Sequence, residues 1–280
     1  MALSSSDPEN YRFEHFSIKV MAGDMRFSRD ALRPGQHLPD LPVTMADGGS
    51  TSLYQLADGK PLLLATGSIT CPMTVSSIDE LNELQEELAD NINVALVYVR
   101  EAHPGENFPQ PHSLVEKTDN AKQFQGDYDI RFPSIVDGLD GQLHQLLDVL
   151  PNSAHLMASD GEIITQSLWL GDVGWLEDVR ALIISDGGSE KPLIHGPGGQ
   201  NKISQRMLMP FLKGAGYMHD TLNKAGSQAY RELVRGAPPV SLLSRTAALF
   251  SFLPNDKRGL AAAISMAVLM GLVIGLVWLW

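Results

Sequence analysis

Two apolar runs joined by an amphipathic stretch constrain this chain most. Residues 61–66 (PLLLAT) are apolar apart from their last residue and close on Gly67, and residues 93–101 (NVALVYVRE) form a second run. Short apolar runs bounded by turn signals suit strands buried on both faces. Between them Val75, Ile78, Leu81, Leu84 and Leu88 recur every three or four residues, while Glu80, Glu83, Glu86 and Glu87 occupy the other side. That spacing predicts one helix with a single apolar face. Strand, helix, strand with both strands apolar implies a right-handed crossover and parallel pairing.

The flanking sequence extends this unit into a mixed α/β domain. Residues 34–60 read as two short strands about a turn at Asp47-Gly48-Gly49, with a second turn at Asp58-Gly59. Ser113 caps a predicted helix running to about Gln125. FPSIVD (132–137) is a third strand, and residues 141–149 a short helix. Ser159-Asp160-Gly161 joins two strands as a hairpin, and residues 175–184 form a last helix. Before this domain, residues 1–33 read as an arm in which Phe13, Phe16 and Val20 share a helical face. After it, 187–201 is a linker and 202–258 a helical region, with its first helix broken near Pro210 and residues 214–216.

Charge divides the chain in the same places. Residues 190–258 hold ten Lys/Arg against four Asp/Glu, although the whole chain carries −12. The acidic body argues against nucleic acid, whose affinity comes largely from phosphate neutralisation. The basic segment suits anionic lipid. Residues 259–280 carry no charge and are long enough to cross a ~30 Å hydrocarbon core. They are expected to be a single-pass C-terminal anchor, with residues 240–253 either resting on the membrane surface or forming a helical spacer. The basic flank places the body on the cytoplasmic side, and the polar N-terminus shows no signal peptide.

The only cysteine, Cys71, falls where the first strand meets the helix. Strand carboxyl ends are where open α/β sheets bind ligands. A helix N-terminus favours a thiolate, Pro72 is tolerated in the first turn, and Ser68 or Thr70 can donate to the sulfur. Parallel pairing would bring Glu101 and His103 beside it, where His103 can supply a proton. His112 is expected at the same rim. His144 and His155 read as structural, and His15, His37, His195 and His219 show no metal-ligand spacing. No metal or cofactor is expected, and no nucleotide-binding or zinc-protease motif is present. A lone cysteine forms no internal disulfide, so redox turnover needs an external thiol.

GSITCP (67–72) followed by YVREAH (98–103) resembles the iodothyronine deiodinase family, and RPGQHLPDLPV (33–43) resembles the opening of thioredoxin-like redoxins. Gly67, Ser68, Thr70 and Pro72 match the family's segment, and Cys71 stands where selenocysteine would be. Glu101, Ala102 and His103 match its second motif. The resemblance spans about 34–184. It implies a thioredoxin-like fold and a membrane-anchored oxidoreductase. In that enzyme Cys71 would attack the halogen, His103 would protonate the carbon, and Glu101 would orient it. Ser68, Thr70, Pro72 and His112 would support the site. Two departures stand out. Ile69 replaces a cysteine, and Pro111 occupies a histidine position with His112 one residue later.

Two other functions compete. One is a one-cysteine thiol peroxidase, for which Ser68 fits but Leu64 replaces a proline. The other is a non-catalytic membrane-tethered scaffold. Expected partners are a thioredoxin- or glutathione-type donor and the bilayer, with a homodimer left open.

Overall fold

The structure, a computed structural model, describes residues 11–24, 28, 30–185 and 203–278. The first ten residues and the expected linker lie outside the described residues. Helix α1 (Ile18–Asp24) precedes a hairpin of β1 (Pro42–Met45) and β2 (Ser50–Ser52). Next come α2 (Leu53–Ala57), β3 (Leu62–Gly67), α3 (Pro72–Val75), α4 (Ile78–Glu87) and β4 (Asn93–Tyr98). After these lie α5 (Leu114–Asp127), β5 (Ser134–Val136), α6 (Gln142–Leu147), β6 (Ala154–Met157), β7 (Ile163–Ser167) and α7 (Val173–Ser185). The C-terminal part holds β8 (Ile203–Ser204), α8 (Leu208–Ala225), α9 (Ser227–Gly236), α10 (Pro238–Ala248) and α11 (Asn255–Trp278).

All six residues of β3 are buried, which places it inside the sheet rather than at an edge. The strand order is β2-β1-β5-β4-β3-β6-β7-β8. β3 runs parallel to β4 and antiparallel to β6, and β6 and β7 form the expected hairpin. The order β4-β3-β6-β7, with a helical crossover between β3 and β4 and α7 after β7, is thioredoxin-like. Alternation along β3 feeds two cores. Leu63 and Ala65 join Leu96, Phe124 and Trp175 on one face. Leu62 and Leu64 join Val97, Leu147 and Met157 on the other. Each fully buried leucine contributes roughly 1.5–3 kcal/mol, so apolar residues on both faces hold β3 in register.

Two expectations change. The single helix after Cys71 is two helices. Ser76 and Ser77 each donate a hydroxyl hydrogen bond to the Met73 carbonyl at 2.9 Å. Such back-bonding competes with the helical ladder and bends it. The region from residue 202 opens as β8, paired with β7, and α8 then runs unbroken through Pro210 and residues 214–216. Pro210 sits in the first turn, where its missing N–H needs no partner. Residues 240–253 turn one face inward and leave Leu242, Leu249 and Phe252 exposed. Leu243, Ser244 and Ala247 of α10 are buried, with Leu243 and Ala247 packed among Leu212 and Ala215 of α8 and Ala262 of α11.

The C-terminal helices are fastened to the sheet domain. Lys224 pairs with Asp127 at 2.7 Å, and Glu232 accepts from the Phe16 backbone N–H at 2.8 Å. Asn107 donates from its backbone to the Ala225 carbonyl at 2.9 Å. Helix α11 crosses α8 at backbone contact, where a Cβ on Gly259 would lie 1.8 Å from the Leu212 oxygen. Residues Asn255–Gly275 are long and apolar enough to cross a membrane. Beyond this crossing Ile264, Val268, Leu269 and Leu272 are exposed.

Candidate active site

Register builds the site. Gly67 at the end of β3 lies opposite Tyr98 at the end of β4, so residues 68–71 emerge beside residues 99–103. Cys71 occupies the N-cap of α3, and its carbonyl accepts from the Val75 N–H at 3.0 Å. Its sulfur makes no capping hydrogen bond. With only four residues, α3 carries a much smaller dipole than the long helix expected from the sequence. Stabilisation of a thiolate here falls to local groups instead.

Below Cys71 lies a connected polar network. The Thr70 hydroxyl donates to Glu101 Oε2 at 2.7 Å, and Ser68 Oγ lies 3.2 Å from Thr70 Oγ1. Tyr98 donates to Glu101 Oε1, which also accepts from Asn120 at 3.1 Å. The Gln110 carboxamide holds the Glu101 backbone at both ends, at 3.0 and 2.7 Å. Backbone N–H groups of Ala102 and His103 donate to Ser68 and Thr70 at 3.2 and 3.3 Å. Glu101 is wholly buried. Burial raises its pKa, opposed by the hydrogen bonds from Tyr98, Thr70 and Asn120 and by the charge of buried Lys117. Tyr98 is pushed well above its ordinary value, first by burial and then by the Glu101 charge.

The chain of hydroxyls has a direction. With Glu101 ionised, Thr70 points its hydrogen at the carboxylate and accepts from Ser68. A proton on Glu101 allows both hydroxyls to turn the other way. The network thus ties a buried carboxyl to the loop that carries Cys71.

Above Cys71 the surroundings are different. A cavity of about 270 Å³ is lined by Cys71, His103, Asn152, Trp169 and a largely apolar remainder. The His103 ring packs against Phe16 with centroids 4.4 Å apart. Its Nδ1 is sealed from solvent without a hydrogen-bond partner, and burial lowers its pKa to about 4. Burial thus favours the neutral imidazole at pH 7. Both carboxamide atoms of Asn152 are likewise buried and unpartnered.

The structure brings Cys71, Pro72 and His103 to the cavity wall and joins Ser68, Thr70 and Glu101 beneath it. His112 is not brought there. It is exposed on the surface, 3.5 Å from Glu14 and 3.4 Å from Arg12, because the Gln110–Glu101 pairing directs residues 109–112 away from the cavity. His144 bonds Tyr11 and Leu150 at 2.7 Å each, and His155 bonds Ser153 and Gln166 at 2.9 and 3.0 Å. Both are structural, as their apolar settings implied. Sequence reading missed Tyr98, Gln110, Lys117, Asn120 and Asn152. The available signal was on α5, where Lys117 and Asn120 share the inward face with Ala121 and Phe124. Away from the cavity, ligand atoms of His37, Asp160 and Glu162 lie within 4.8 Å of one another at the surface. That donor set suits a divalent cation, and sequence spacing hid it because the sheet edge joins residues 37 and 162.

Comparison with known proteins agrees with the motifs. The family described as iodothyronine deiodinase matches residues 7–129, so the match begins inside the N-terminal arm and ends after α5. Among solved structures, an uncharacterized conserved protein from Geobacillus kaustophilus is 15% identical, covering 61% of this chain and 89% of its own, at a TM-score of 0.48. A secreted thiol-disulfide isomerase from Corynebacterium glutamicum is 20% identical, covering 57% and 91%, at 0.43. A secreted disulfide oxidoreductase from Mycobacterium tuberculosis is 16% identical, covering 44% and 80%, at 0.35. The stretch that resembles the iodothyronine deiodinase family, residues 7–129, spans less than half of the chain and includes Cys71, Glu101 and His103.

Proposed function

We propose that the protein is a membrane-anchored, thiol-dependent reductive dehalogenase. The observation that supports this best is the placement of Cys71 between an apolar cavity and a hydrogen-bonded network centred on Glu101. The Cys71 thiolate attacks the halogen of an organohalide. The carbon–halogen bond breaks, its electron pair stays on carbon, and a sulfur–halogen bond forms. The carbon takes the proton that left the Cys71 thiol, while Glu101, Thr70 and Ser68 hold the loop that carries Cys71. Neutral His103 hydrogen-bonds the substrate rather than acting as an imidazolium acid. An external thiol then displaces halide as a mixed disulfide forms, and a second thiol releases Cys71 with one disulfide as the oxidised product. A thioredoxin- or glutathione-type donor fills that role, because Ile69 leaves no resolving thiol in the loop.

Helix α11 holds this domain to a bilayer in the proposal, with Lys257, Arg258 and the sheet domain on the cytoplasmic side. The test uses the full chain in detergent with excess dithiol. Iodide release from 4-iodophenol that disappears in Cys71→Ser supports the reading. Peroxide consumption without iodide release replaces it with a peroxidase, and neither activity with Cys71 intact leaves a scaffold. A chain truncated before Asn255 should leave the membrane fraction, and one that stays there overturns the anchor assignment.

A further inference from the structure

The C-terminal helical region completes the cavity. Met207 and Phe211 at the start of α8, Met218 further along it, Leu233 of α9 and Val240 of α10 all line it. The sheet domain supplies Cys71, His103, Asn152 and Trp169, and the N-terminal arm adds Phe16. A roof built this way is tightly seated, since a Cβ on Gly214 would lie 2.7 Å from Met73 Cγ. Among the described residues the wall contains no carboxylate, lysine or arginine, and its one ionisable group besides Cys71 is His103, which burial holds toward the neutral form. Thioether sulfurs of Met21, Met73, Met207 and Met218 add soft, polarisable contacts suited to aromatic rings.

Against this apolar background the Asn152 side chain stands out. The residue is 1% exposed, and neither its Oδ1 nor its Nδ2 has a protein partner. Buried polar groups are paired in the great majority of cases, so an orphan beside a cavity calls for a ligand. Size bounds the ligand as well. A cavity of about 150 Å³ accepts benzene, so about 270 Å³ corresponds to about ten non-hydrogen atoms.

We infer that the cavity takes an uncharged, single-ring apolar molecule whose one hydroxyl or amide head pairs with the Asn152 carboxamide. Asn152 is then the specificity-determining residue of the site. This assignment rests on the dehalogenase reading for its chemistry, but its recognition is testable without any turnover. A carboxylate or zwitterion would enter a wall that offers no counter-charge and would approach the Cys71 thiolate, so such molecules are rejected.

Cys71 is the sole cysteine, so its alkylation rate by iodoacetamide, read by mass spectrometry of the full chain in nanodiscs, reports occupancy of the cavity. The probes are 4-methylphenol, toluene and 4-methylbenzoate, which carry no halogen to react. We expect 4-methylphenol to protect Cys71 at a concentration at least tenfold below 4-methylbenzoate and fivefold below toluene. Asn152→Leu should raise the 4-methylphenol concentration to that of toluene and leave toluene unchanged, which also shows that the cavity has stayed intact. Asn152→Thr, which keeps a hydroxyl, should retain part of the preference. Equal protection by 4-methylbenzoate, or an unchanged phenol-to-toluene ratio in Asn152→Leu, overturns the assignment. The expected protection without iodide release keeps it and removes the dehalogenase reading. Iodide release without the preference does the opposite.

Discussion

The two sides of Cys71 are built on opposite rules. Beneath it, Ser68, Thr70, Tyr98, Glu101, Gln110 and Asn120 hydrogen-bond one another into one network. Above it, Asn152 and the His103 ring face an apolar cavity with polar atoms left unpaired. A saturated network is rigid, and it suits a loop that must stay in place. Unpaired groups in an apolar wall suit a ligand that supplies the missing partner. On the proposed reading, reagent handling and substrate recognition are separated across a single residue.

Substitutions on the two sides should separate in the same way. The largest effect belongs to the boundary itself: Cys71→Ser should abolish thiol-dependent iodide release, by about a thousandfold or more. Next comes the lower side. Glu101→Gln should lower turnover about 10–100-fold while leaving 4-methylphenol protection of Cys71 unchanged. A parallel loss of protection would show that the two sides are not independent.

Acid should also act on the fold. His155 is buried and its pKa is lowered to about 3 by burial, with a smaller contribution from Arg33. The unfolded chain binds a proton near 6.5 that the native chain refuses. Stability is therefore full above pH 6.5 and falls as pH drops toward 3, by up to about 5 kcal/mol from this group. Thermal unfolding followed from pH 7 to pH 4 should show that decline, and a flat profile would contradict the burial of His155. The smallest effect is expected at the seam of the roof. Glu106 is drawn down to about 2, first by the Ser227 hydroxyl and then by the Gln228 backbone N–H at the start of α9. Glu106→Ala should lower the melting temperature by a few degrees at most and weaken toluene protection slightly. An unchanged protection curve would mean that α9 holds the roof without this cap.

Much of the lower side was legible in the chain. The apolar runs, the helix between them and the two short motifs located Cys71, Glu101 and His103, because strand pairing is governed by local pattern. Tyr98 was in plain view but ambiguous, since an aromatic residue in a buried strand is ordinary core. Gln110, Lys117 and Asn120 were hidden because their partners lie 9 to 19 residues or more away. The upper side was illegible. Met207, Phe211, Met218 and Val240 read only as part of a helical region before a membrane anchor, and nothing local says what such residues cover.

The amino-acid order alone settled which strands are buried on both faces, that β3 and β4 run parallel, that Cys71 has no second cysteine in this sequence to pair with, and that the last helix is apolar enough to span a bilayer. These follow from periodicity, composition and a cysteine count, all of which are local or additive. Three-dimensional packing settled the rest. It broke the helix after Cys71, sent His112 to the surface, buried His103 in a setting that favours its neutral form and folded residues 207–240 over the site as a roof. Each of those outcomes depends on contacts between residues far apart in the chain, where burial and steric fit, rather than local preference, determine the energy.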